Sequence, residues 1–273
     1  MKRIGLLYHP KIPESKRVAE ELTHRIEALG SSPWVCSSWE EEKIKCRLTD
    51  LDLLITLGGD GTILRAARMA APYATPILGV NFGRLGFLAE VEPEEVAEKL
   101  PSVLEGRYWL EERMMLHAEA LRGEENLGEY EALNDVVVGR GPLARVIRLA
   151  TYIDGDYLTT YVADGVIVAT PTGSTAYSLA AGGPILPPQL RSIIVTPLLP
   201  YLATARSLVL SPEATVKVEV STNHSAALTV DGQINVELED GDAVTVTASR
   251  HTCRLIRMRP KTYFYRTLLE RLK

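Results

Sequence analysis

Cysteine is scarce in this chain: Cys36, Cys46 and Cys253 stand far apart among 273 residues, with no C-x-x-C pair. That argues against a disulfide scaffold or a thiolate zinc site and suits a reducing cytoplasm. Long apolar runs are missing as well. The best candidate, "IIVTPLLPYLATARSLVL", is broken by Pro197, Pro200 and Arg206, so no bilayer span is expected. The start, "MKRIGLLYHPK", offers five apolar or small residues before His9 and Lys11, too few for a signal-peptide core. A cytoplasmic location is the expectation. A strong charge of either sign is also lacking, and a net charge of -5 gives no reason to expect nucleic acid or a membrane as partner. The five histidines, His9, His24, His117, His224 and His251, show no metal-ligand spacing. There is no internal repeat and no low-complexity segment.

What is present falls into two halves. In the first, "IGLLY", "LDLLITL" and "PILGVN" read as buried strands. Between them "ESKRVAEELTHRIEALG" sets Val18, Leu22, Ile26 and Leu29 on one helical stripe stopped by Gly30. "TILRAARMAAP" is a helix ended by Pro72, and "PEEVAEKLPSVLEG" a helix with Pro93 in its first turn. "WEEEK" reads as a solvated loop. Strands and helices in alternation argue for a parallel sheet flanked by helices, over residues 1–106. From Arg107 the runs are strand-like: "VIRLATYI", "GVIVAT", "SIIVTPL", "TVKVEV", "AALTV" and "AVTVTA". Turn pairs Asp154-Gly155, Asp231-Gly232 and Asp240-Gly241 punctuate them. Residues 107–261 are therefore expected to form an all-β layer or sandwich with one short helix. "YFYRTLLERLK" predicts a helix over about 262–273 that returns to the first domain.

Two stretches carry chemistry. "LITLGGDGTILRAAR" ends a strand in Gly58, Gly59, Asp60 and Gly61 and then begins a helix near Thr62. Glycines permit positive φ and close approach of a ligand to the main chain, and a helix start adds its positive dipole end, so the loop suits a phosphoryl group. The Walker pattern and the G-x-G-x-x-G fingerprint are both absent. Asp60 would repel phosphate, so its guest is a metal ion or a hydroxyl about to attack. In a kinase such a carboxylate orients the hydroxyl and takes its proton as the new bond forms. Arg65, one turn on, either reaches the phosphates or is a solvated helix residue.

The second stretch is "YLTTYVADGVIVATPTGSTAYSLAAGGPIL". Asp164-Gly165 precedes an apolar strand. Thr170, Thr172, Ser174, Thr175, Tyr177 and Ser178 then crowd around Pro171 and Gly173, ahead of Gly182-Gly183. One helix cap accounts for Ser174 or Thr175 alone. So many hydroxyls together suit a sugar, an amide and a base edge. Asn134-Asp135, in "ALNDVVVGRG", opens a strand where polar groups could read ribose hydroxyls, or is a turn.

Together "GGDGTILRAAR", "NFGRLGFLAE", "ALNDVVV", "ADGVIVATPTGSTAYSLAAGGPI" and "DGQ" resemble the ATP- or polyphosphate-dependent NAD kinase family. The resemblance implies a Rossmann-like N-terminal domain, a β-sandwich-like C-terminal domain that binds NAD, and a site in the cleft between them. It implies transfer of the terminal phosphoryl group of ATP, or of polyphosphate, to the 2′-hydroxyl of the adenosine ribose of NAD, giving NADP. Asp60 matches the family's proton acceptor. Gly58, Gly59, Gly61 and Arg65 fall where phosphate contacts are expected. Asn134 and Asp135 match an Asn-acidic pair that contacts NAD, and Asp164 a carboxylate at the nicotinamide end. Thr175, Ala176, Tyr177, Ser178, Leu179 and Ala180 match a segment lining the NAD pocket, and Arg145 and Gln233 align with further nucleotide contacts. A divalent cation, Mg²⁺, is expected with ATP, and the family implies a homodimer or homotetramer. Val162 stands where some members carry Arg, Pro187 and Tyr201 where His is common, and Asp135 replaces the commoner Glu; the choice between NAD and NADH and the subunit contacts near Tyr201 stay open. Lipid and sphingoid-base kinases share GGDG but carry a Gly-Thr-Gly-Asn-Asp segment where this chain has "VNFGRLGF". A catalytically silent NAD-binding regulator is the alternative from another class.

Overall fold

The computed structural model describes residues 2–83, 86–143, 145–201 and 205–271. Arg84 and Leu85 of "NFGRLGFLAE", residues 202–204 of the Tyr201 stretch, and the last two residues of the predicted C-terminal helix lie outside them. The chain divides into two compact units, Met1–Glu112 with His251–Lys273, and Arg113–Arg250. Composition changes at Arg107, but two long strands, Trp109–Arg122 and Ala243–Arg257, each have residues in both units.

The first unit begins with β1 (Arg3–Tyr8), α1 (Pro13–Ala28), β2 (Ser32–Ser37), α2 (Glu41–Lys45), β3 (Leu53–Gly58) and α3 (Asp60–Ala70). It continues with β4 (Ile77–Asn81) and α4 (Pro93–Leu104). The strands lie in the order β2-β1-β3-β4, all parallel, and the end of the strand Ala243–Arg257 adds beside β4 through Leu255 and Ile77. β3 is buried along its whole length, as expected for a strand covered on both faces. α1 starts on Pro13 and buries Val18, Leu22 and Ile26 against the sheet. Leu29 departs from the expected stripe: it caps the helix and is 48% exposed. The "WEEEK" stretch forms helix α2 rather than a loop, because Ile44 is fully buried and anchors the turn. A capping box between Glu92 and Glu95 starts α4. The unit ends in a helix, Tyr263–Arg271.

The second unit is built of antiparallel strands: β5 (Trp109–Arg122), β6 (Glu125–Ala132), β7 (Asp135–Arg140), β8 (Ile147–Ile153), β9 (Asp156–Ala163) and β10 (Gly165–Ala169). After the short helix α5 (Tyr177–Ala180) come β11 (Ile193–Leu198), β12 (Leu208–Leu210), β13 (Val216–Ser221), β14 (Ala226–Val230), β15 (Ile234–Leu238) and β16 (Ala243–Arg257). One sheet runs β12-β11-β10-β7-β14-β15; in the other β16, β13, β8 and β9 are neighbours. Their inner faces share one apolar core, with Val136, Val138, Val166, Val168 and Val195 from the first sheet and Leu149, Val216, Val218, Val244 and Val246 from the second. This is the β-sandwich expected from the strand-like runs. Asp154-Gly155 and Asp231-Gly232 close two-residue and three-residue connections in the left-handed conformation at both positions, at φ 53 and 89 and at φ 50 and 65.

Candidate active site

In the first unit, β3 ends at Gly58 and α3 begins at Asp60, two residues earlier than the pattern predicts. Neither Gly58 nor Gly59 uses positive φ, so the glycines serve contact rather than left-handed backbone. At Gly58 a Cβ would meet Thr62 Oγ1 at 2.2 Å, which any larger residue would push out of place. At Gly59 a Cβ would meet nothing within 4 Å, so the main chain there opens to a ligand. Gly61 lies in the first turn of α3. The helix start brings partial positive charge to this point.

The Asp60 carboxylate is held from the segment after β4. Phe87 N–H donates to Oδ2 at 2.8 Å and Leu88 N–H to Oδ1 at 3.2 Å. Gly86 packs so closely that a Cβ there would lie 2.3 Å from both oxygens. Each oxygen keeps a further lone pair, so the group is oriented while it can still accept a proton. Arg65 is half-buried, and its Nη1 pairs with Glu41 Oε1 at 2.6 Å.

The second unit holds a cavity of about 510 Å³, within the ~300–1,000 Å³ of small-molecule sites. Asn134, Asp135, Arg140, Asp164, Ala176, Tyr177 and Asp231 are among its lining residues. Asn134 and Asp135 stand where β6 gives way to β7. Their corner is fixed by Asp231, whose carboxylate accepts the N–H groups of Leu133, Asn134 and Asp135 at 3.1, 2.8 and 3.2 Å. Burial, with the Asp231 charge beside it, pushes the Asp135 carboxyl up to about 7. Asp164 pairs with Arg140, Nε to Oδ1 at 3.0 Å. Three carboxyl groups against one guanidinium make this recess unsuited to a triphosphate and suited to hydroxyls, amides or a cationic ring.

Most of the hydroxyls in "TPTGSTAYS" turn inward. Thr170 donates to Leu133 O at 2.6 Å and accepts Gly173 N–H at 3.0 Å; Ser174 donates to Pro171 O at 2.6 Å and accepts Leu186 N–H at 3.0 Å. Thr172 accepts from Arg113 at 3.1 Å, Thr175 donates to Thr172 O at 3.2 Å, and Ser178 faces Thr196 at 3.4 Å. Within the tight 170–186 path, Thr170, Ser174 and Thr175 thus bond to backbone, and Thr172 and Ser178 to neighbouring side chains. Only Ala176 and Tyr177 of the 175–180 segment line the cavity among the described residues. Gln233 follows the turn at Asp231, and Arg145 is exposed in the loop before β8, its carbonyl facing His224 Nε2 at 3.3 Å. Sequence reading missed Asp231 and Arg140. Asp231 was visible in "DGQ", though only as a turn residue.

Comparison with known proteins follows the same division. The description "ATP-NAD kinase N-terminal domain" matches residues 7–108, and "ATP-NAD kinase C-terminal domain" residues 133–258. An NAD kinase of Dehalococcoides mccartyi is 43% identical over 273 residues, covering 100% of this chain and 96% of the relative. A crystal structure of yeast NADH kinase complexed with NADH matches with a TM-score of 0.85 at 26% identity, over 99% of this chain and 87% of that one. An NAD kinase from Archaeoglobus fulgidus in complex with ATP matches with a TM-score of 0.80 at 26% identity, over 99% and 98%. The fold is an α/β unit followed by a mostly antiparallel β unit, and the family it matches is one of nucleotide-dependent phosphotransferases. The chain belongs to the NAD kinase family.

Proposed function

We propose that Asp60 is the proton acceptor of NAD phosphorylation in this chain, with ATP as phosphoryl donor. The observation that carries the reading is the Asp60 carboxylate, fixed by two main-chain N–H groups at the start of α3 beside the open backbone of Gly59. A ribose hydroxyl has far too high a pKa to be deprotonated beforehand by a carboxylate. Asp60 therefore takes the proton as the O–P bond forms and the bond to the leaving ADP breaks. Gly58, Gly59 and Gly61 would receive donor phosphates on the main chain, where the dipole of α3 favours negative charge. In the β unit, Asn134, Asp135 and Asp164 would take NAD by its hydroxyl and amide groups, with Tyr177, 49% exposed, as an apolar wall.

Among the described residues no group of three His, Cys, Asp or Glu side chains is gathered to hold a metal ion. A divalent cation would enter on the phosphates of ATP, as Mg²⁺ commonly does, and would offset their charge. Among the described residues no helix is long and apolar enough to cross a membrane. We place the protein in the cytoplasm, from its cysteine usage, and as a homodimer or homotetramer, from its family.

The test is purified protein with ATP, Mg²⁺ and NAD, with NADP read by an NADP-specific dehydrogenase. Asp60→Asn should keep the fold and lose on the order of 10²- to 10⁴-fold in turnover. A chelator arm should abolish NADP formation. Near-normal turnover in Asp60→Asn would sink the proton-acceptor role. Sedimentation showing monomer alone would remove the oligomer.

A further inference from the structure

The two N–H groups that hold Asp60 belong to residues 87 and 88, which lie in neither strand nor helix. Something else must fix them. Leu88 offers its carbonyl to Arg257 Nη1 at 2.7 Å, and the same nitrogen stands 3.4 Å from Ala89 O and 3.3 Å from Glu90 Oε2. Arg257 Nε donates to Glu111 Oε2 at 2.7 Å. Glu90 Oε1 in turn accepts the N–H groups of Met258 and Arg259, both at 2.8 Å. The three side chains are 8%, 4% and 5% exposed, for Arg257, Glu90 and Glu111.

A buried cluster of one guanidinium and two carboxylates is a weak source of stability, because desolvation offsets most of the attraction. What it supplies here is geometry. The guanidinium fork points one edge at Glu111 and the other at the Leu88 and Ala89 carbonyls and the Glu90 carboxylate, a span that an ammonium cannot reproduce. Leu88 thus carries a contact on each side: its N–H on the Asp60 carboxylate, its C=O on Arg257.

We propose that Arg257 is a positioning residue for phosphoryl transfer, fixing the 86–89 backbone that aims the Asp60 carboxylate. The proposal rests on the reading of Asp60 as proton acceptor. Arg257 touches no reacting atom. It acts through the peptide groups that Asp60 accepts.

The experiment is a double-mutant cycle on the full chain. Arg257→Met should lower kcat by on the order of ten- to a hundredfold, as expected for loosening a reacting group by about 1 Å, with KM for NAD changed by less than about twofold. Arg257→Lys should recover part of kcat. In the Asp60→Asn background, Arg257→Met should cost little further, because the group it positions is gone. Ile26→Ala, in the helix–sheet core of the same unit, controls for loss of stability alone and should leave kcat per folded molecule unchanged. If Arg257→Met does not fold, Arg257→Lys carries the same cycle. An equal loss in both backgrounds, or a kcat within twofold of the parent, overturns the proposal. Near-normal turnover in Asp60→Asn instead overturns the reading of Asp60 itself, so the two failures are told apart.

Discussion

Gly86→Ala is the most exacting perturbation the α/β unit offers. A Cβ built on Gly86 falls 2.3 Å from both Asp60 oxygens and 2.4 Å from Asp60 Cγ. That is about 1 Å short of the 3.4 Å at which ordinary contact begins. Aspartate has a short side chain on the first residue of α3, so the carboxylate cannot swing aside and keep its partners. Either it retreats by about 1 Å or the 86–88 backbone withdraws. Both stretch the N–H contacts at 2.8 and 3.2 Å beyond hydrogen-bonding range. A displacement of about 1 Å at a reacting group costs roughly a hundredfold in rate, or about 2.7 kcal/mol of barrier. The NADP-coupled assay should therefore show kcat down by on the order of a hundredfold, with KM for NAD and ATP nearly unchanged. The melting temperature should fall by several degrees as well, because two hydrogen bonds to the carboxylate are lost, so kcat is read per folded molecule. A kcat within about threefold of the parent would refute the idea that the 86–88 backbone sets the Asp60 carboxylate.

Asp135→Asn tests the buried carboxyl pair. The folded-state pKa of Asp135 is raised from 3.8 to about 7, so the fold favours the protonated form. Its stabilising contribution is complete below the unfolded value of 3.8 and is lost as pH rises through about 7, a change of roughly a few kcal/mol. The parent's melting temperature should fall as pH is raised through this window, and Asp135→Asn should flatten the slope; identical slopes would refute it. Gly59→Ala meets nothing in the protein itself, so its melting temperature should stay within a few degrees while KM for ATP rises by about tenfold or more. Unchanged KM for ATP would remove Gly59 from the phosphate contacts.

The runs "LDLLITL" and "PILGVN" were legible because a parallel strand buried on both faces must be apolar throughout, and α1 and α4 because one face of each is covered. Strand β2, "SPWVCS", was not legible: a proline, two serines and half-buried side chains leave neither alternation nor a continuous run. Helix α2 was missed because five residues, held by Ile44 alone, are too short to show a period. The internal partners of the hydroxyl cluster were not legible for a different reason. Types of side chain do not reveal whether a tight loop needs them for its own peptide groups, and Thr170 and Ser174 are spent in that way.

Asp60 stood out as a candidate because a carboxylate among glycines contradicts an ordinary phosphate loop. Its supports did not, since they are peptide N–H groups, which every residue but proline carries. Phe87 and Leu88 lie 27 and 28 residues from Asp60, and Arg257 lies 169 residues from Leu88. No local period or motif links positions so far apart; only the parallel sheet does, by setting the end of β16 next to β4. Glycine is where such a main-chain contact leaves a trace. At Gly86 a side chain would occupy the space of the Asp60 carboxylate itself, so the identity of that residue is dictated by that carboxylate rather than by a turn. A glycine outside any turn, beside a segment that folds against a charged loop, is therefore a sign in the sequence that backbone is being used as the ligand of a functional side chain.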